Sequence, residues 1–265
     1  MKVVKSLENR EDAVMSALRN VLRSGSYAEG QYVQRVEYLL KLQLGMSAIT
    51  VNSCGSALYL TYKYMRDMLN MGTVLVQNNT FFATGAMARE NGLQVVLVDS
   101  RQDCPGMSVD SLRLAHAAAP EARAVVLTHV GGWLCKDYDL IAQYCRERSL
   151  VLVEDCAHAY GVPDAASAGW ASCWSFYPTK AVPCGEGGAV SSDDELFLGW
   201  LARYRQYGKY KRDGVILYDK GMNLRMSEWD AAVLAVQLEN VREILRLRRA
   251  DAEALQSIAP CRLRG

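Results

Sequence analysis

No two of the eight cysteines stand at the two-residue spacing of metal ribbons and redox motifs; they lie at 54, 104, 135, 145, 156, 173, 184 and 261. The three histidines, His116, His129 and His158, do not cluster with them. A zinc site is therefore not expected, and scattered cysteines in a chain of 265 residues read as reduced thiols. Charge of either sign is also scarce in excess. The net value is +1, which gives no pull toward nucleic acid or an anionic membrane. No uncharged apolar run reaches membrane-spanning length, and the opening "MKVVKSLENRED" lacks the apolar region of a signal peptide. A G-x-G-x-x-G fingerprint and a P-loop lysine are both missing, which weakens nucleotide-binding readings. There is no internal repeat and no low-complexity linker. The expectation is a soluble cytoplasmic protein with no metal, no nucleic-acid partner and no membrane.

Half of the residues are apolar and 22% are charged, so material for a buried core is ample. Short β-branched runs alternate with helical patterns. "AITV" (48–51), "TVLVQ" (73–77), "LQVVLVD" (93–99), "RAVVLTHV" (123–130), "SLVLVED" (149–155) and "SCWSF" (172–176) read as strands. Several are apolar almost throughout, as strands covered on both faces must be. Helices are expected near 55–69, 83–91, 108–118 and 137–147, with a leading amphipathic helix over 9–25. The stretch 227–255 reads as one long helical tract capped by Ser227. This alternation predicts an α/β fold with an open, mostly parallel central sheet flanked by helices.

Ligands of such sheets sit beyond the carboxyl ends of the strands, so the polar residues that end the strands matter most. "NSCGS" (52–56) sets Gly55 and Ser56 at a helix start, where free N–H groups favour an anion; a plain N-cap is the other reading. Asp155 ends a buried strand in "VLVEDCAHAYG", either as a structural ion pair or as a fixed anion for a cationic ligand atom. His158 follows it and reads equally as a core histidine. Phe81 and Phe82 in "TFFATG" are core or a platform for a flat ring. Lys180, in "CWSFYPTKAVPCGEGGAV", follows a strand and precedes a glycine-rich turn, with Glu186 as its one acidic neighbour. An anion cradle, a strand-end carboxylate, an aromatic platform and a lysine beyond a strand are together what pyridoxal 5'-phosphate needs. The lysine amine would form a Schiff base with the aldehyde, and the carboxylate would keep the ring nitrogen protonated.

The segments "VLRSGSYAEGQYVQRVE", "VNSCGSAL", "QNNTFFATGAMARENGLQVVLVD", "VLVEDCAHAYG", "WSFYPTKAVPCGEGGAV", "RQYGKY" and "GMNLRMSEWDAAVLAVQLE" occur in order from about 9 to about 245. In them the chain resembles the DegT/DnrJ/StrS sugar aminotransferases, which have the fold type I architecture of aspartate aminotransferase. The resemblance implies that Lys180 is the Schiff-base lysine and proton shuttle, and that Asp155 pairs with the ring nitrogen. It puts His158 beside the cofactor's 3-oxygen, Phe81 on the ring, and Gly55, Ser56 and Ser175 at the phosphate. Asn223 matches a residue that reaches the neighbouring subunit's phosphate, so a homodimer with shared active sites is implied; Arg225 lies in the same motif. Gly55 stands where relatives carry Thr, which lessens side-chain help to the phosphate.

Relatives continue past the long helix, so residues 1–250 are expected to be the cofactor-binding large domain and 251–265 a stub where a C-terminal small domain is absent or truncated. The implied activity moves an amino group from L-glutamate or L-glutamine to a nucleotide-linked keto-sugar or a cyclitol, in polysaccharide or secondary-metabolite synthesis. Two alternatives stand beside it: a shortened enzyme with decarboxylase or lyase activity on the same cofactor, and a non-catalytic cofactor-binding subunit of a heteromeric partner. The loop 207–221, with Lys209, Lys211 and Arg212, either meets a nucleotide diphosphate or is a solvated basic loop.

Overall fold

A computed structural model describes residues 10–258. The strands are β1 (Ala48–Val51), β2 (Thr73–Gln77), β3 (Gln94–Val98), β4 (Ala124–Thr128), β5 (Val151–Asp155), β6 (Ala171–Ser175) and β7 (Gly188–Ser191). They form one sheet in the order β1-β7-β6-β5-β4-β2-β3, in which β7 alone runs against its neighbours. The six expected strands are all present within two residues of their expected bounds. β2, β4 and β6 are buried at every position, as strands covered on both faces by helices are.

Helices cover both faces. They are α1 (Glu11–Ser24), α2 (Gln31–Leu44), α3 (Cys54–Asp67), α4 (Phe82–Glu90), α5 (Val109–Ala118), α6 (Tyr138–Glu147), α7 (Glu195–Tyr204), α8 (Glu228–Glu239) and α9 (Val241–Ile258). One core layer joins α3 and α7 to the sheet through Leu58, Tyr62, Met65 and Phe197. A second joins α2 and α8 through Val36, Leu40, Leu234 and Leu238 to Trp174 and Phe176. A third sets Leu112 of α5 and Ile141 of α6 against Leu75, Val125 and Leu127.

Besides α2 and α7, which were not expected, the structure departs from expectation in three places. The glycine-rich run after Lys180 contains β7, which starts at Gly188 and is held by pairing on both sides rather than by its own propensity. Residues 210–217, expected as loop, form an exposed hairpin of β8 (Tyr210–Arg212) and β9 (Val215–Leu217). Its turn is Asp213-Gly214, both at positive φ (51° and 82°), the chemistry a tight hairpin demands. The tract 227–255 is two helices, broken at Asn240, whose side-chain amide donates to the Val236 carbonyl at 2.8 Å. Residue 250 lies inside α9. No helix among the described residues is long and apolar enough to cross a membrane, and every cysteine among them is free.

The two ends of this frame are tied by one buried carboxylate. α2 follows Gly30 and has no side-chain cap of its own. Glu228, the first residue of α8, accepts the N–H groups of Tyr32 (3.0 Å) and Val33 (2.8 Å) instead. Its charge also meets the positive end of the α2 dipole. Replacing Glu228 with alanine leaves these donors without a partner and is expected to lower stability by about 2–3 kcal/mol. Urea unfolding checks this as a lower midpoint at unchanged slope; an unmoved midpoint refutes the tie.

Candidate active site

Since β1, β2, β4, β5 and β6 run parallel, their carboxyl ends lie along one edge of the sheet, where β7 begins. Cross-strand register brings Thr128 beside Asp155, and sets Gly188 between Val51 and Ser175. A cavity of about 590 Å³ opens at this edge. Of the residues singled out from sequence, Gly55, Phe81, Asp155, His158, Ser175 and Lys180 line it. Two do not. Ser56 turns its hydroxyl away to Asn52 Oδ1 (2.6 Å), and Asn223 is exposed outside the cavity, bridged to Gln206. Lys209, Lys211 and Arg212 are exposed and also lie outside it.

The anion cradle is built from α3. Ser53 is the N-cap and accepts the Ser56 N–H at 3.1 Å. The first N–H groups of a helix have no partner within it, so those of Cys54 and Gly55 are left for a ligand at the cavity wall. Gly188 fixes this cradle in place. A Cβ there would stand within 2.6 Å of Cys54 N and closer still to the Ser53 carbonyl, so β7 passes hard against the turn and only glycine fits.

Asp155 is buried, and both of its oxygens are held. Oδ2 accepts from Thr84 Oγ1 at 2.7 Å, and Oδ1 from the Ala157 N–H at 3.1 Å. Thr84 is itself one of a line of hydroxyls, 2.8 Å from Thr80 Oγ1, which lies 2.8 Å from Thr128 Oγ1. Both donors to Asp155 are neutral, so its charge is not cancelled by them. The Lys180 ammonium feels that charge, which raises its pKa, but burial outweighs this and the amine titrates below the ordinary lysine range. His158 Nδ1 accepts the Gly131 N–H at 3.1 Å, which leaves Nε2 to carry the proton of the neutral ring. Burial, and then the Lys180 charge, lower the His158 pKa, while Asp155 opposes them; the neutral ring is favoured. Phe81 is 65% exposed at the mouth, its ring 4.6 Å from that of Phe82.

Sequence reasoning did not single out Cys54, Thr84, Thr128, Tyr177 or Thr179. All but Thr84 line the cavity, and Thr84 acts through Asp155. The readable signal was the polar strand end "NNTFFAT", although nothing local says which of its hydroxyls turns inward. His129, Glu154 and Cys156 bring ligand-type atoms within 4.8 Å of one another. The Glu154 oxygens are already filled by His129 Nε2, Tyr138 OH and the N–H groups of Ala166, Ala168 and Gly169. That group therefore latches the loop after β5 and offers no room to a cation.

The donor set suits pyridoxal phosphate. It offers two open N–H groups for a phosphate, an anion held by neutral donors for a protonated ring nitrogen, and an exposed aromatic face. It also offers an amine whose burial favours its neutral, nucleophilic form.

Comparison with known proteins bears on the family. The chain is 29% identical over 251 residues to the spore coat polysaccharide biosynthesis protein SpsC of Bacillus subtilis, covering 89% of this chain and 64% of that protein. It is 31% identical over 255 residues to the dTDP-3-amino-3,4,6-trideoxy-alpha-D-glucose transaminase of Micromonospora megalomicea, covering 93% of this chain and 66% of the relative. The chain thus spans somewhat less than two thirds of the length of these relatives. Among solved structures, a DegT DnrJ EryC1 StrS aminotransferase from Brucella abortus superposes with a TM-score of 0.87 at 25% identity, over 97% of this chain and 71% of the other. The profile of the DegT/DnrJ/EryC1/StrS aminotransferase family matches residues 8–259, and the chain belongs to that family.

Proposed function

We propose that the protein is a pyridoxal-phosphate-dependent aminotransferase that acts on a nucleotide-linked keto-sugar or a cyclitol, with L-glutamate or L-glutamine as amino donor. The observation that carries this reading is the meeting of Lys180, Asp155 and the open α3 N-terminus in one cavity. The Micromonospora relative is a transaminase of a dTDP-linked sugar and the Bacillus relative serves a polysaccharide, which supports the substrate class. When bound, the cofactor supplies the aldehyde and the electron-accepting ring that amino-group transfer requires.

The rest is the work of the chain. The Cys54 and Gly55 N–H groups, with Ser175, hold the phosphate, and Phe81 covers one ring face. Asp155, locked by Thr84 and Ala157, holds a proton on the ring nitrogen. Lys180 would anchor the cofactor through its amine, and the same amine, favoured in its neutral form by burial, is the base placed to accept a proton from the donor's α-carbon. His158, neutral and fixed through Nδ1, offers Nε2–H to the ring oxygen. Asn223, exposed outside this cavity, would serve the cavity of a second copy in a homodimer; light scattering that finds only monomer at every concentration removes that part.

The reading is tested by incubating the protein with pyridoxal phosphate, reducing with borohydride and mapping the adduct by mass spectrometry. A single adduct on the Lys180 peptide, and its loss on prior addition of L-glutamate or L-glutamine, is the expected result. An adduct spread over surface lysines, or none, overturns it.

A further inference from the structure

We propose that Arg248, on α9, is a positioning residue that sets the reach of the Lys180 amine. The proposal rests on the function just described. Lys180 belongs to no strand or helix. Its N–H donates to the Tyr177 carbonyl at 2.9 Å, and its own carbonyl accepts from Arg248 Nη2 at 2.6 Å. These two bonds pin the peptide planes on either side of the Lys180 Cα. With both planes fixed, the direction of the Cα–Cβ bond is fixed, and with it the origin of the long side chain.

The same helix pair grips the neighbouring backbone. Gln237 of α8 donates to the Pro183 carbonyl at 3.1 Å, and Asp230 Oδ1 sits 3.2 Å from where a Cβ of Gly185 would stand. On the other side, the Leu245 side chain of α9 packs directly on Gly161, which sits at φ +81°. Gly161 lies in the loop between β5 and β6 that carries His158. α8 and α9 thus touch both the loop that carries His158 and the one that carries Lys180.

Arg248 is an expensive way to make one hydrogen bond. The guanidinium is half-buried, its Nε is buried without a hydrogen-bond partner, and burial lowers its pKa while Asp251 opposes the shift. Polar groups left unpaired in this way weaken a fold, and breaches of this kind gather where function demands them. Here the demand is the placement of residue 180. Misplacing a reacting group by about 1 Å costs up to roughly a hundredfold in rate.

The test compares Arg248→Met, which keeps length and apolar packing but removes the donor, with Arg248→Lys, which keeps a cation able to reach one carbonyl. The rate at which pyridoxal phosphate becomes borohydride-trapped on the Lys180 peptide is expected to fall about ten- to a hundredfold in R248M. R248K should recover most of that rate, and R248M should keep its melting temperature within a few degrees. Turnover should fall with trapping, while KM for the amino donor stays within about twofold, since a misplaced amine leaves donor binding intact. R248M trapping at the wild-type rate, or R248M and R248K losing rate only in step with melting temperature, overturns the proposal. Should R248M not fold, equal trapping by R248K and R248A, which has no donor, overturns it and faster trapping by R248K supports it. A wild-type protein with no adduct at Lys180 overturns the function above as well, whereas a wild-type adduct with an unaffected R248M overturns this inference alone.

Discussion

Lys180→Ala protein is expected to fold, to bind pyridoxal phosphate more weakly and to lose about four orders of magnitude in transamination. Stability should change little, because the side chain is only partly buried and makes no ion pair among the described residues. What vanishes is the amine proposed to anchor the cofactor and carry the proton. The pH dependence identifies that amine. Burial lowers the Lys180 pKa from the usual lysine value, and the Asp155 charge only partly restores it. The neutral form is the nucleophile, so trapping in the wild-type protein should speed up as pH rises and level off at lower pH than for an ordinary lysine. Trapping followed by mass spectrometry across pH reads the midpoint directly. A midpoint at or above the usual lysine value, or a Lys180→Ala variant that still turns over, would show that another group does this work.

The sheet was legible because its signal is local. A strand buried on both faces must be apolar throughout, and "TVLVQ", "AVVLT" and "VLVED" say so within five residues each. Asp155 was legible for the same reason: a carboxylate at the end of such a strand needs an explanation. Lys180 gained meaning only once the parallel order put its strand end beside that of Asp155. The elements that escaped are those whose cause lies far along the chain. β7 is a strand because β1 and β6 flank it, α2 is capped by a residue 195 and 196 positions away, and Thr84 bonds Asp155 across 71. The Arg248 contact spans 68. α7, capped by Asp194, carried a readable start in "SSDDELF", and its hydrophobic face is set by Tyr64 and Trp170. Where roles were matched by resemblance, Ser56 shows the limit. Its hydroxyl is taken by Asn52 and Ser53 within the same turn, so the cradle rests on backbone N–H groups.

Asp155→Asn separates holding the cofactor from using it. The replacement has the same shape. Its carbonyl oxygen can keep the Ala157 N–H bond, and its amide can donate to Thr84 Oγ1, whose hydroxyl then turns toward Thr80. The fold and the hydroxyl line therefore survive, and unfolding should stay close to wild type. The charge does not survive, and nothing then holds a proton on the ring nitrogen. Turnover should drop about 10²–10³-fold, roughly 3–4 kcal/mol of barrier. The Lys180 adduct should still form and still be trapped. Its pH midpoint should move down, because the Asp155 charge raises the Lys180 pKa and its removal leaves burial less opposed. The same change lowers the His158 pKa further, so that ring stays neutral and its bond to Gly131 is kept. Trapping and turnover should therefore part company in this one variant. If they fall together, or if the midpoint moves up, Asp155 is a structural acceptor for Thr84 and the ring-nitrogen role belongs elsewhere.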